Sequence, residues 1–161
     1  WVQLLYKPSS GENAANVNVG WHQDRHYWGD WEEGSELLTA WVALSDVGPF
    51  SGSMSFVLGS HRWGQLPGGD FFDQDLSAQR RAISLPEGAE WNEVEAHMRA
   101  GGASFHDALT FHASGVNTSG QPRLSFAIHL RTDKSTPKGG RREGLTQFID
   151  DEDRCPIIHK A

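Results

Sequence analysis

The chain has 161 residues, a formal net charge of −7, seven tryptophans and one cysteine. A domain of this length buries roughly 70% of its unfolded surface, so a single core suffices without disulfides or a structural metal. The acidic balance excludes a general nucleic-acid binder, which needs a basic face to neutralise phosphates, and the lone Cys155 excludes an intrachain disulfide.

No apolar run approaches the roughly 20 residues needed to cross a bilayer, and no signal-peptide pattern is present. With one thiol, the expectation is a reducing, cytoplasmic compartment and no membrane partner. The chain opens on Trp1, inside a β-prone stretch and without an initiator methionine, so a missing N-terminal portion is part of the expectation.

In chain order, Trp1 to Tyr6 is apolar and β-prone, and Leu37 to Leu44 reads as a buried strand. Ser53 to Leu58 alternates, with Met54, Phe56 and Leu58 on one face. The stretch 64–99 is polar, with a helix predicted near Trp91 to Arg99, and is expected to be a lid or a surface insertion. Ala103 to His106, Thr110 to His112 and Leu124 to Leu130 are further strands. Turn signals separate them, among them Gly48-Pro49, Ser51-Gly52, Gly101-Gly102 and Ser119-Gly120-Gln121-Pro122. Residues 132–161 form a tail. Its basic residues Lys134, Lys138, Arg141 and Arg142 are offset by Asp150, Asp151, Glu152 and Asp153, as in a mixed, solvated surface. Many short strands between turns predict an all-β sandwich or barrel in one domain.

The chemistry concentrates in Trp21-His22-Gln23-Asp24. On an extended segment residues i and i+2 share a face, so His22 and Asp24 can present an imidazole nitrogen and a carboxylate oxygen to one ion. A distant second histidine would complete two-His-one-carboxylate ligation, which leaves open positions as in non-haem Fe(II) oxygenases. Alone, such a triplet arises often by chance. The distal segment Phe111-His112-Ala113-Ser114-Gly115 supplies a candidate, and Arg123 follows at the head of a strand. A guanidinium donates two parallel hydrogen bonds to a carboxylate, and Ser125, at i+2 on the same face, can assist it.

In these residues the chain resembles the phytanoyl-CoA dioxygenase family of Fe(II)/2-oxoglutarate oxygenases. The family's H-x-D is similar to His22-Gln23-Asp24, and its tryptophan beside the site to Trp41 in Leu-Thr-Ala-Trp-Val-Ala-Leu. Its Gly-Ser/Cys-Met/Leu…Pro-Gly-Ser/Thr-His segment resembles Gly52-Ser53-Met54…Leu58-Gly59-Ser60-His61. Its distal His-Gly-Ser-Gly-x-Asn, with an arginine eleven residues after the histidine, resembles His112-Ala113-Ser114-Gly115-Val116-Asn117 and Arg123. The resemblance implies a double-stranded β-helix (jelly-roll, cupin-like) core and a metal triad of His22, Asp24 and His112. It further implies 2-oxoglutarate held by Arg123 with Ser125, Trp41 and Gln23 nearby, and O2 and a small organic molecule as partners. Hydroxylation with release of succinate and CO2 follows from it, with ascorbate admissible as an accessory reductant. Leu58 stands where the family usually has proline, and the family's helical N-terminal region has no counterpart. Halogenating members usually lack the carboxylate; Asp24 retains it, which favours hydroxylation.

Among the remaining histidines, His106 is a rival ligand disfavoured by its spacing to Arg123. His129 shares the Arg123 face as a barrel-lining or core residue, His26 is a surface or neighbouring residue, and His61 sits in a turn. Trp28 and Trp31 are candidates to roof a substrate site. Two other readings stay open: a jelly-roll metal-binding module (or incomplete oxygenase) without turnover, and a zinc hydrolase built on the same ligands.

Overall fold

The computed structural model describes residues 1–10 and 17–160. Eight strands form: β1 (Val2–Lys7), β2 (Val19–His22), β3 (Leu37–Ala43), β4 (Met54–Val57), β5 (Glu93–Ala96), β6 (Ala103–Asp107), β7 (His112–Ser114) and β8 (Arg123–Arg131). They pair into two antiparallel four-stranded sheets, ordered β1-β8-β3-β6 and β2-β7-β4-β5. Strands adjacent in sequence mostly fall in opposite sheets or away from each other, which is the jelly-roll arrangement expected from the sequence.

One expected element is overturned. Residues near 91–99 are not helical; Glu93–Ala96 is β5, with Val94 opposite Phe56 of β4. The Glu-Val-Glu-Ala alternation suits a sheet edge, and pairing with β4 outweighs the modest helix propensity of Glu and Ala. The only α-helix among the described residues, α1 (Leu76–Ala82), lies earlier. Asp75 caps it by accepting from Ala78 N at 2.9 Å, and Arg80 and Arg81 occupy its last turn, where the helix dipole favours cations.

The 64–99 excursion is therefore sheet in part, and the rest is anchored. Trp63, Leu66, Leu76, Leu85 and Trp91 pack on a buried cluster of Trp21, Val57, Ile83, Phe111 and Ala113. The buried Gln79 carboxamide accepts from Trp21 N (2.6 Å) and donates to Trp21 O (2.7 Å). The tail is also less solvated than expected: Ile149 joins Trp28, Trp31, Leu37 and Ala108 in a second cluster, and Ser135 and Thr146 are buried.

Register determines what faces the space between the sheets. In the first sheet Lys7 pairs with Arg123, Leu5 with Ser125, Trp41 with Ala127 and Ser104, and Thr39 with His129 and His106. Arg123, Ser125, Ala127, Thr39, Trp41, His106 and Lys7 are buried, whereas Leu4, Tyr6 and Phe105, of the opposite parity, are exposed. The usual alternation of apolar inside and polar outside is thus partly inverted in this sheet. A buried face rich in polar groups is costly unless those groups have partners, which makes that face the place to look for a ligand.

Candidate functional site

His22 ends β2 at its pairing with His112, the first residue of β7. Between Val19 and His22 three residue steps of β2 oppose two of β7, a bulge that re-aims the following side chain. Gly20 sits in that bulge, where an added Cβ would lie 2.0 Å from Asp70 O. Asp24 does not continue the strand; it opens a 3-10 turn. Gln23 alone between the two is extended (φ −114°, ψ 128°), which is enough to keep His22 and Asp24 on one face.

The donor atoms of His22, Asp24 and His112 lie within 4.8 Å of one another. Asp24 Oδ1 is 3.6 Å from His22 Nε2 and 3.7 Å from His112 Nε2. His22 Nδ1 is 2.8 Å from Gly20 O and His112 Nδ1 is 3.0 Å from Thr110 O. A carbonyl only accepts, so each imidazole donates from Nδ1 and turns a bare Nε2 lone pair inward. Burial, together with neighbouring His22 and His106, pushes the His112 imidazole well below its ordinary pKa, so it is neutral. Burial alone would raise the Asp24 carboxyl, but contacts with the His112, His106 and His22 imidazoles, when those rings carry a proton toward it, outweigh burial and hold the group well below the usual carboxylate range. Two lone pairs and an ionised carboxylate converging on one point repel unless a cation lies between them. Neutral imidazole with carboxylate suits a divalent first-row metal.

His106 is close, with Nε2 3.4 Å from Asp24 Oδ2 and its ring 4.4 Å from that of His112. It lacks the carbonyl bond that orients the other two rings, as neither of its nitrogens has a hydrogen-bond partner among the described residues.

Further along the inner face lies a second polar cluster. Arg123 is buried, its Nη1 donates to Gly52 O, and its guanidinium carbon lies 5.2 Å from the Trp41 ring centre. Arg123 Nε, Ser125 Oγ and Trp41 Nε1 are all buried and, among the described residues, without hydrogen-bond partners. Lys7 is buried opposite Arg123, with Nζ 2.6 Å from Ser114 Oγ. Burial first, and Arg123 second, lower the Lys7 ammonium to about 7; burial lowers Arg123 to about 10. Two basic side chains thus share this buried face with several donors that lack partners among the described residues.

Other expected residues are placed elsewhere. Gln23 is not turned to the Arg123 cluster: its amide donates to Gly64 O (2.8 Å) and Leu109 O (2.6 Å) and accepts from Leu66 N (2.9 Å), tying loops together beneath the metal ligands. Trp28 and Trp31 do not roof a chamber, since both are buried against Leu37, Ala108 and Ile149. Phe71, from the 64–99 excursion, covers His22 instead, with ring centres 5.0 Å apart. Lys7, Thr39 and Ser114 join the site without a sequence signal strong enough to single them out. Thr39 lies at i−2 from Trp41 and so shares its face, but only the fold brings it to Asp24.

A jelly-roll that gathers two imidazoles and a carboxylate inside its sheets defines the class of non-haem metal enzymes with open coordination positions. The chain belongs to the phytanoyl-CoA dioxygenase family, whose profile matches residues 1–125. Among solved structures, the non-heme monooxygenase ThoJ is 28% identical, with a TM-score of 0.66 over 88% of this chain and 48% of its own. The epimerase SnoN, solved with Fe3+, alpha ketoglutarate and nogalamycin RO, is 28% identical, with a TM-score of 0.63 over 93% of this chain and 54% of its own. The non-heme alpha ketoglutarate dependent carbocyclase SnoK is 26% identical, with a TM-score of 0.62 over 91% and 54%. The chain thus spans about half the length of these structures. A comparison with curated protein sequences gives no match. Among the described residues no helix is long and apolar enough to cross a membrane.

Proposed function

We propose that the protein is an Fe(II)- and 2-oxoglutarate-dependent dioxygenase that hydroxylates a small organic substrate. The observation that carries this reading is the pairing of a cation-demanding triad with an anion-demanding cradle on one buried face. His22, Asp24 and His112 would hold the iron, which supplies the one-electron chemistry that O2 activation needs. Arg123 and Lys7, with Ser125 and Trp41 Nε1 as donors, would hold the distal carboxylate of 2-oxoglutarate. The overall reaction consumes R–H, O2 and 2-oxoglutarate and yields R–OH, succinate and CO2, with one oxygen atom entering succinate and the other the substrate.

The substrate would enter a cleft of about 480 Å³ between β5 and β6, lined by Phe56, Val94, Ala96, Ser104 and His106. This cleft replaces Trp28 and Trp31 as the candidate substrate site. Its walls combine apolar side chains with polar ones, among them His61, Glu95 and Asp107, and suit a small organic molecule that carries polar groups. A reducing cytoplasmic setting fits the ferrous state and the single thiol.

An evolved metal-binding module would have no use for buried Arg123 and Lys7 aimed at an anion, and a zinc hydrolase would not need them either. The deciding experiment is anaerobic titration of the protein with Fe(II) and 2-oxoglutarate. A visible metal-to-ligand charge-transfer band should develop only with both present, and O2 should then release succinate. Bound iron without such a band rules out 2-oxoglutarate as co-substrate and returns the chain to the module reading. Given the epimerase and carbocyclase among similar structures, mass spectrometry of products across a metabolite library then tests hydroxylation itself: a gain of one oxygen supports it, and an isomer or a loss of two hydrogens overturns it.

A further inference from the structure

The metal triad uses one oxygen of Asp24 and leaves the other unexplained. Oδ1 faces the Nε2 atoms of His22 and His112 at 3.6 and 3.7 Å, whereas Oδ2 points away from them toward the first sheet. There Thr39 Oγ1 donates to it at 2.7 Å, and His106 Nε2 lies 3.4 Å away. Thr39 Oγ1 is also 3.0 Å from His129 Nδ1. These three residues form one rung of the sheet, with Thr39 paired to His129 of β8 on one side and to His106 of β6 on the other.

We propose that this rung is a clamp: Thr39, oriented by His129, and His106 together hold Asp24 Oδ2 so that the carboxylate offers the metal Oδ1 alone. The inference rests on the metal reading of the triad. A carboxylate free to turn could chelate through both oxygens and occupy one of the positions that co-substrate and O2 require. A carboxylate with its outer oxygen occupied by donors stays monodentate.

Hydrogen-bond direction makes the clamp specific. An ionised carboxylate only accepts, so the single hydroxyl proton of Thr39 is committed to Asp24. The contact between Thr39 and His129 then exists only if His129 Nδ1 carries a proton and donates it to Oγ1. His129 with a bare Nδ1 would compete for the same hydroxyl proton and leave Oδ2 facing a lone pair. His106 Nε2 faces the same oxygen at 3.4 Å, outside hydrogen-bond geometry, and as part of the clamp it would present Nε2–H to Oδ2. That assigns a role to a residue only 7% exposed, whose two ring nitrogens have no hydrogen-bond partner among the described residues, and explains why it stands beside the triad without joining it. His106 and Thr39 are therefore positioning residues, acting through Asp24, and His129 acts through Thr39.

Two measurements test this. Long-range 1H–15N correlation spectra of the Zn(II)-loaded wild-type protein read the tautomer of each imidazole. His129 should be protonated on Nδ1 and His106 on Nε2; His129 protonated on Nε2 alone overturns the clamp, and this result needs no variant to fold. Second, Co(II) dissociation constants are compared across variants by competition with a chromophoric chelator. Loss of an outer partner of a metal ligand typically costs about 10- to 100-fold in affinity, which is the loss expected for Thr39→Val, with Thr39→Ser recovering most of it. A folded Thr39→Val that binds Co(II) as tightly as wild type overturns the proposal while leaving the triad intact. Failure of the wild-type protein to bind Co(II) at all removes the triad reading and the clamp with it.

Discussion

At the metal end of the inner face, His22 and His112 donate to Gly20 O and Thr110 O, and Asp24 accepts from Thr39. At the Arg123 end, Arg123 Nε, Ser125 Oγ and Trp41 Nε1 have nothing to donate to among the described residues, and Lys7 is buried beside a second cation. The first end is oriented before any ligand arrives. The second is under-satisfied, and a buried donor without an acceptor costs about 1–3 kcal/mol. The triad side chains are thus held by the fold itself, whereas on the proposed reading the Arg123 end is completed by the carboxylate of its co-substrate. Ligand-free protein should therefore be stabilised by the dicarboxylate out of proportion to the size of that molecule.

The largest effects are expected at the metal end. His22→Ala, Asp24→Ala and His112→Ala should each weaken metal binding by more than about 100-fold, beyond what loss of an outer partner costs. Turnover should fall with it; metal analysis after exhaustive dialysis checks this, and full loading in any variant removes that residue from the triad.

At the other end the loss should be confined to the anion. A hydrogen bond to a charged group is worth about 1.5–3 kcal/mol, so Arg123→Ala should weaken 2-oxoglutarate binding by about 10- to 100-fold or more. Iron affinity should stay unchanged. Arg123→Lys should recover only part, because a point charge does not reproduce the planar fork. Titration of the charge-transfer band reads the effect.

Lys7 adds a pH signature. Its folded pKa of about 7 lies below the ordinary value of 10.5. Between those values the unfolded chain binds more protons, so the ligand-free protein should gain stability as pH rises from about 7. The penalty of a buried, charged Lys7 is fully present below that pH. A bound dicarboxylate provides the missing partner and restores the proton, so binding at pH 8 should take up protons and weaken as pH rises further. Calorimetry in buffers of different ionisation enthalpy measures the uptake. Lys7→Met should abolish it and cost about tenfold in affinity, the equivalent of about 1.4 kcal/mol. Unchanged uptake in Lys7→Met would assign the proton to another group.

Ser125→Ala should have the smallest effect, about the 0.5–1.5 kcal/mol of one ordinary hydrogen bond. The same titration reads it, and a loss as large as that of Arg123→Ala would mean that the variant disturbs β8 rather than one donor.

How much of this was legible beforehand depended on the distance over which each signal acts. His22 and Asp24 declare themselves because a single extended residue between them suffices to align both side chains, even though the strand ends there. Arg123 and Ser125 share a face by the two-residue period of β8, and His112 stands at a fixed spacing before them. The strands β1, β3, β4, β6 and β8 follow from local alternation and composition for the same reason. Residues 93–96 did not, because their preference is weak and pairing with β4 decides it. Lys7, just past the apolar stretch from Trp1 to Tyr6, carries no signal of its own until antiparallel register places it opposite Arg123. His106 lies far from Asp24 in sequence, Thr39 is on the next strand but reaches Asp24 only through the fold, and Gln23 turns from an apparent site residue into a loop clamp once Gly64 and Leu109 are beside it. Local periodicity thus determined which side chains share a face. Only the pairing of strands across the sheets decided which faces meet, and with them which side chains surround Asp24 and which basic residue stands opposite Arg123.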